Sequence, residues 1–195
     1  MNMRKVGSAC VYCGTGHKVD PIYKETAARL GTVMAENKVR LVYGGGKVGL
    51  MGIVSEYCFK AGGEVVGIIP EHIQDTEITN EDLTELHVVD SMHTRKGMMV
   101  EKSEGFIVLP GGFGTLDETF EILTWKYLGL HDKPIVLINV NGFYEPLLKM
   151  IDHMVESGFT PFWHRSLYQV VETPEEAVQA LSTQKERIPP DISHI

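Results

Sequence analysis

The chain has 195 residues, a formal net charge of -8, three cysteines and 43 % hydrophobic residues, which is an ordinary globular composition with enough apolar material for one good core. The acidic balance argues against a general nucleic-acid binder, since backbone phosphates call for a basic surface, but leaves room for a small phosphate ligand that senses only local charge. No apolar run approaches the roughly 20 residues that cross a bilayer, and Cys10, Cys13 and Cys58 are too few and odd in number for a disulfide framework.

In chain order, "KVGSACVY" predicts a strand and "PIYKETAARLGTVMAEN" a helix with proline in its first turn. "VRLVY" is the next strand, and "LMGIVSEYCFKA" a helix closed by Gly62 and Gly63. "EVVGIIP" is a strand, the polar "EHIQDTEITNEDL" a loop, "ELHVV" a short strand and "MHTRKGMMVEKS" a helix capped by Ser91. "GFIVLP" leads into a helix expected from Thr115; "PIVLINV" and "YEPLLKMIDHMVESG", then "LYQVV" and "PEEAVQALST", form the last strand–helix pairs. Short, continuously apolar strands separated by helices imply a parallel sheet covered on both faces. The expected fold is therefore α/β, a Rossmann-like doubly wound parallel sheet. Residues 1–183 are expected to make a single nucleotide-binding domain and 184–195 a loose tail. The N-terminus "MNMRKVGSACVYCG" lacks the pattern of a signal peptide, so a cytoplasmic protein is expected.

In such sheets ligands bind at the carboxyl ends of the strands. Three turns there are glycine-rich: "CGTGHK", "YGGGKVGLMG" and "PGGFGT". Each opens a helix whose free N–H groups and dipole favour an anion. Gly44, Gly46 and Gly49 also spell G-x-G-x-x-G after a strand, with Glu71 near the position of a ribose-binding acid, which is the pattern of a dinucleotide site. Thr115 and Glu118 spell T-x-x-E, so Glu118 has two readings: half of a capping box, or a carboxylate beside an anion site.

Arg95 and Lys96 stand near the start of a helix, where cations oppose the dipole at a cost of some tenths of a kcal/mol each; a bound phosphate or a partner carboxylate would offset it. Met92, Arg95 and Met99 share a helical face. Cys10-x-x-Cys13 lies along a strand, so the two side chains point to opposite faces, and no second pair completes a zinc site. The histidines show no metal-ligand spacing. Trp125, Met98 and Met150 are expected in the core.

"PGGFGTLDE" matches the PGGxGTxxE signature of the LOG family of cytokinin riboside 5'-monophosphate phosphoribohydrolases, and "YGGGKVGLMG", "SMHTRKGMM", "LTWKYLGLHDKP" and "NGFYEPLL" resemble the family in the same order. The resemblance runs from "VYCGT" to "ESGF". It implies hydrolysis of the N-glycosidic bond of a nucleoside 5'-monophosphate to a free base and ribose 5-phosphate, with no metal or other cofactor. It implies Arg95 and Glu118 as catalytic residues. Substrate and phosphate contacts are implied at Glu77, Met92, Lys96, Gly45, Gly46, Gly111, Gly112, Phe113, Gly114, Thr115, Leu116, Asp117 and Thr124. It also implies a homodimer, with a small-molecule nucleotide as substrate and neither nucleic acid nor membrane as partner. Thr94 stands where the family usually has glutamate and Tyr127 where it has glutamine, departures that bear on base preference. Some members carry a lysine decarboxylase label, but no pyridoxal-phosphate lysine site is recognisable here. A nucleotide or molybdenum-cofactor carrier and a dinucleotide-dependent oxidoreductase remain as alternative readings.

Overall fold

A computed structural model describes residues 6–74 and 83–183. Strands β1 (Ser8–Tyr12), β2 (Arg40–Tyr43), β3 (Val65–Pro70), β4 (Glu85–Val89), β5 (Gly105–Val108), β6 (Ile135–Ile138) and β7 (Gln169–Val171) form one sheet in the order β4-β3-β2-β1-β5-β6-β7, and every neighbouring pair is parallel. The helices are α1 (Pro21–Glu36), α2 (Gly49–Lys60), α3 (Glu71–Gln74), α4 (Met92–Glu101), α5 (Phe113–Tyr127), α6 (Glu145–Glu156) and α7 (Pro174–Ser182).

The central strands are buried on both faces, which is why they read as unbroken apolar runs. Val11, Leu41 and Ile107 belong to a core cluster under α1, α2 and α7; Cys10, Val42 and Phe106 belong to a second cluster under α4, α5 and α6. Cys13 falls in the first cluster and Cys10 in the second, so the expected opposition of the two side chains holds. Asp20 caps α1 by accepting from the Ile22 N–H at 3.0 Å, with Pro21 in the first helical turn.

The chain runs outward from β1 to β4 and then crosses back to place β5 beside β1. At that reversal β1 leads into a helix on one face and β5 into a helix on the other, which is the position at which sheets of this kind bind ligands.

Several sequence expectations need correction. Glu71–Gln74, read as loop, is a helical turn. Val140–Gly142 and Phe162–Ser166 are 3-10 turns that the apolar pattern does not signal. Met150 was expected in the core but is 55 % exposed, whereas Met98 packs against the second cluster. The expected tail, 184–195, and most of the expected loop, 75–82, lie outside the described residues.

Candidate active site at the sheet's carboxyl edge

The three glycine-rich turns meet at the switch point. The Gly14 N–H donates to the Pro110 carbonyl at 3.0 Å, and the Leu50 N–H donates to the Gly14 carbonyl at 3.0 Å. The first loop is thus bonded to both others. Gly49 has φ +60°, and a Cβ there would lie 2.4 Å from the Thr15 backbone; only glycine lets the first and second loops approach this closely. Gly49, the last glycine of the dinucleotide pattern, thus serves contact between loops, and Glu71 is exposed.

Arg95 is the buried cation of the site, 7 % exposed. Ser91 caps α4, accepting from the Thr94 N–H at 3.1 Å, which orients the helix so that Arg95 and Met99 face inward. Arg95 Nε donates to the Ile68 carbonyl at 3.2 Å and Nη2 to the Gly44 carbonyl at 3.2 Å, while Nη1 lies 3.7 Å from Met92 Sδ. A Cβ on residue 44 would sit 1.9 Å from Nη2, so Gly44 is the floor on which the guanidinium rests. Among the described residues no carboxylate lies within 4.0 Å of Arg95. A buried cation whose described partners are carbonyl dipoles and a thioether is costly and favours an anionic or electron-rich ligand.

Glu118 supplies the carboxylate. The T-x-x-E reading as a capping box fails, because α5 starts at Phe113 with Gly112 as its N-cap and no side-chain cap bond. Thr115 is therefore inside the helix and buried, with its Oγ1 against Gly111. Glu118 lies half-buried beyond the first turn. Burial pushes its carboxyl up to about 7, against the pull of Arg95 and Lys96 and with the push of Asp117 and Glu121. A carboxyl that titrates near neutrality can hold or release a proton at working pH.

The other expected contacts divide. Gly45 and Gly46 are buried in the second loop; Gly111, Gly112 and Gly114 line the third turn and are accessible to varying degrees. Phe113 is 94 % exposed at the start of α5. Leu116 packs against the second core cluster, so its side chain serves the core. Lys96 reaches across to α5, with Nζ 3.3 Å from Asp117 Oδ2 and 3.0 Å from Glu121 Oε1. Thr124 is exposed further along α5, and Glu77 lies outside the described residues. Thr94 is committed to the α4 cap through Asp90 Oδ1 at 2.5 Å; the Tyr127 ring lies tilted against His164, centroids 4.9 Å apart.

Sequence reasoning missed two residues. Glu121 shares Lys96 with Asp117; its only signal was the i, i+4 spacing from Asp117. Tyr144 is buried and donates to the Leu109 carbonyl at 2.7 Å, fixing the strand end from which the Pro110 turn departs. Among the described residues no group of three or more His, Cys, Asp or Glu is placed to hold a metal ion.

A family model described as "Possible lysine decarboxylase" matches residues 51–181. The chain is 43 % identical over 182 residues to the probable cytokinin riboside 5'-monophosphate phosphoribohydrolase LOGL2 of Oryza sativa subsp. japonica, covering 92 % of this chain and 75 % of the relative. It is 45 % identical over 174 residues to the cytokinin riboside 5'-monophosphate phosphoribohydrolase LOG1 of Arabidopsis thaliana, covering 88 % and 81 %. The chain belongs to the LOG family. Its fold is also that of the molybdenum cofactor binding protein of Rippkaea orientalis, with a TM-score of 0.68 at 24 % identity over 91 % of this chain and 95 % of that one. The molybdenum cofactor carrier protein of Chlamydomonas reinhardtii gives 0.67 at 18 % identity, covering 89 % and 94 %. At these identities the likeness speaks for the fold alone. Within the LOG family, the buried Arg95 and the half-buried Glu118 of this member occupy the "RK" pair and the end of the glycine signature.

Proposed function

We propose that this LOG-family chain hydrolyses the N-glycosidic bond of a nucleoside 5'-monophosphate, either an N6-modified adenylate such as a cytokinin riboside monophosphate or AMP itself, releasing the free base and ribose 5-phosphate. The observation that carries the reading is one edge of the sheet that brings together a buried arginine bonded to the carbonyls of Ile68 and Gly44 and a carboxyl that burial pushes up to about 7. The family relationship supplies the reaction class.

In this reading the amides of the glycine turns grip the 5'-phosphate at the helix N-termini, and that remote binding positions the sugar. The bond from the base nitrogen to the anomeric carbon breaks with its electron pair going to the base. Positive charge grows on the ribose, where the ionised Glu118 stabilises it and takes a proton from the water that adds to that carbon. The leaving base takes up one proton in exchange for the one that Glu118 takes from water and then gives back to solvent, so the carboxylate is restored. Arg95 stays charged throughout and acts by hydrogen-bonding the departing base or the phosphate. No step needs a metal or redox cofactor.

The test is product analysis on AMP and N6-isopentenyl-AMP side by side. Ribose 5-phosphate and free base are expected from the wild type and not from Glu118→Gln. No ribose 5-phosphate from any of a panel of nucleoside monophosphates would overturn the proposal, and tight nucleotide binding without turnover, indifferent to Glu118→Gln, would favour a carrier. We further propose a homodimer, supported by Phe120 and Leu128 of the α5 region remaining 40 % and 57 % exposed and checked by light scattering. Three free, buried cysteines support a reducing, cytoplasmic setting, and no described helix is long and apolar enough to cross a membrane.

A further inference from the structure

Lys96 follows Arg95 on α4, and its side chain is 16 % exposed; it ends between Asp117 (64 % exposed) and Glu121 (23 % exposed) on α5. The two acids are four residues apart, hence neighbours on one helix face, and Glu118 falls between them in sequence. Of the three charges, Asp117 is mostly in water, whereas Lys96 and Glu121 form the shorter and more sheltered contact, at 3.0 Å. The ammonium is therefore parked beside Glu118 by a carboxylate that has no place in the glycine signature.

We propose that Glu121 is a positioning residue, which with Asp117 clamps the Lys96 ammonium across α4 and α5 and so sets the protonation state in which Glu118 meets its substrate. The inference rests on the catalytic role given to Glu118 above. The groups that act on Glu118 come from three elements. Arg95 and Lys96 on α4 favour the ionised carboxylate; Asp117 and Glu121 on its own helix oppose it. On β1 and just past its end, the buried Cys10, Tyr12 and Cys13 feel the Glu118 charge in turn, and burial first and that charge second hold Cys10 and Cys13 well above the usual thiol range. Lys96 and Glu121 thus act in opposite senses on one carboxyl while bonded to each other. Removing either tips the balance in the other's sense.

That opposition separates an electrostatic role from a structural one. Glu121→Gln is expected to shift the acid limb of the kcat/KM profile to lower pH, and Lys96→Gln to higher pH, each by about half a unit for a solvent-screened charge. Glu121→Asp is expected to move the limb back toward the wild-type position. The substrate phosphate titrates identically in every arm, so differences between variants report the protein. Carbon-13 NMR titration of the Glu118 carboxyl in the free protein reads the same shifts without turnover. It tests the clamp even if Glu118→Gln keeps its activity, an outcome that would instead defeat the catalytic assignment. Opposite shifts in the two variants support the proposal. Shifts of the same sign, or profiles that superimpose after scaling, overturn it.

Discussion

The two helical layers of this molecule are built for different ends. On one face, α1 buries Thr26, Ala27, Leu30, Gly31, Val33 and Met34, and α2 buries Leu50, Met51, Gly52, Val54, Ser55 and Cys58. The two helices meet so closely that a Cβ at Gly31 would lie 2.4 Å from the Val54 carbonyl oxygen. On the other face, α4 buries only Arg95 and Met99, and α5 only Thr115, Thr119 and Ile122. That layer buries charge and hydroxyls in Arg95, Thr115 and Thr119, with the half-buried Lys96, Glu118 and Glu121 beside them. The contrast teaches that apolar packing is concentrated away from the candidate site, and that the layer carrying its charged groups gives up packing for polarity.

The largest expected effect falls on the chemical layer. Glu118→Gln should lower turnover by about 10²–10⁴-fold, the usual range for a lost proton-transfer group, in an assay of ribose 5-phosphate release. It should not destabilise the fold above neutrality. The native carboxyl, at about 7 against an ordinary 4.5, binds its proton more tightly than the unfolded chain does. The native state is therefore penalised as pH rises from 4.5 through 7, and the neutral amide should hold or raise Tm at pH 8. By the same shift, wild-type kcat/KM should climb as pH rises through about 7 if the ionised carboxylate is the working form.

Gly31→Ala should do the reverse. Its Cβ would meet the backbone of Val54 and Cys58, neither of which is a flexible side-chain end, so a loss of about 2–3 kcal/mol in urea unfolding is expected, with turnover per folded molecule unchanged. A Gly31→Ala protein with normal stability, or with selectively lowered turnover, would break the division between layers. Gly44→Ala sharpens it from the other side. The new methyl would displace the Arg95 guanidinium, so activity should drop about tenfold or more, with a smaller change in unfolding free energy than Gly31→Ala causes.

The smallest effect is a pH dependence of stability. His131 follows α5, with Nε2 2.9 Å from the Ile122 carbonyl and the Lys133 N–H donating to Nδ1 at 3.2 Å. Burial, opposed by the Ile122 bond and aided by Lys126 and Lys133, lowers its pKa from 6.5 to about 4. The unfolded chain therefore takes up the proton first as pH falls. The stability from His131 is present above 6.5 and lost between there and about 4. His131→Gln should flatten that slope in thermal melts.

Much of the site could be read before any coordinates. Arg95 and Lys96 drew notice because cations near a helix start oppose the dipole, and the structure places both at the strand ends. The three glycine turns were expected on one edge because parallel strands carry all strand-to-helix turns to the same side, and two backbone hydrogen bonds join them. The start of α5 was misjudged. T-x-x-E fits an N-cap as well as a third helical position, and the turn at Gly111 and Gly112 decides between them. Glu121 could not be read as a site residue, since its partner Lys96 is 25 positions away in the chain and only packing brings α4 against α5.

The amino-acid order by itself determined the alternation of strand and helix, the burial of the central strands and the family, because local periodicity and short motifs survive without knowledge of neighbours. Only the tertiary structure decided that Arg95 lies buried on Gly44, that Glu118 is a half-buried acid rather than a cap, and that Lys96 is shared by Asp117 and Glu121. Those are properties of low-dielectric surroundings and of distances between remote segments, and charge in such a setting is governed by what the fold brings within a few ångströms of it.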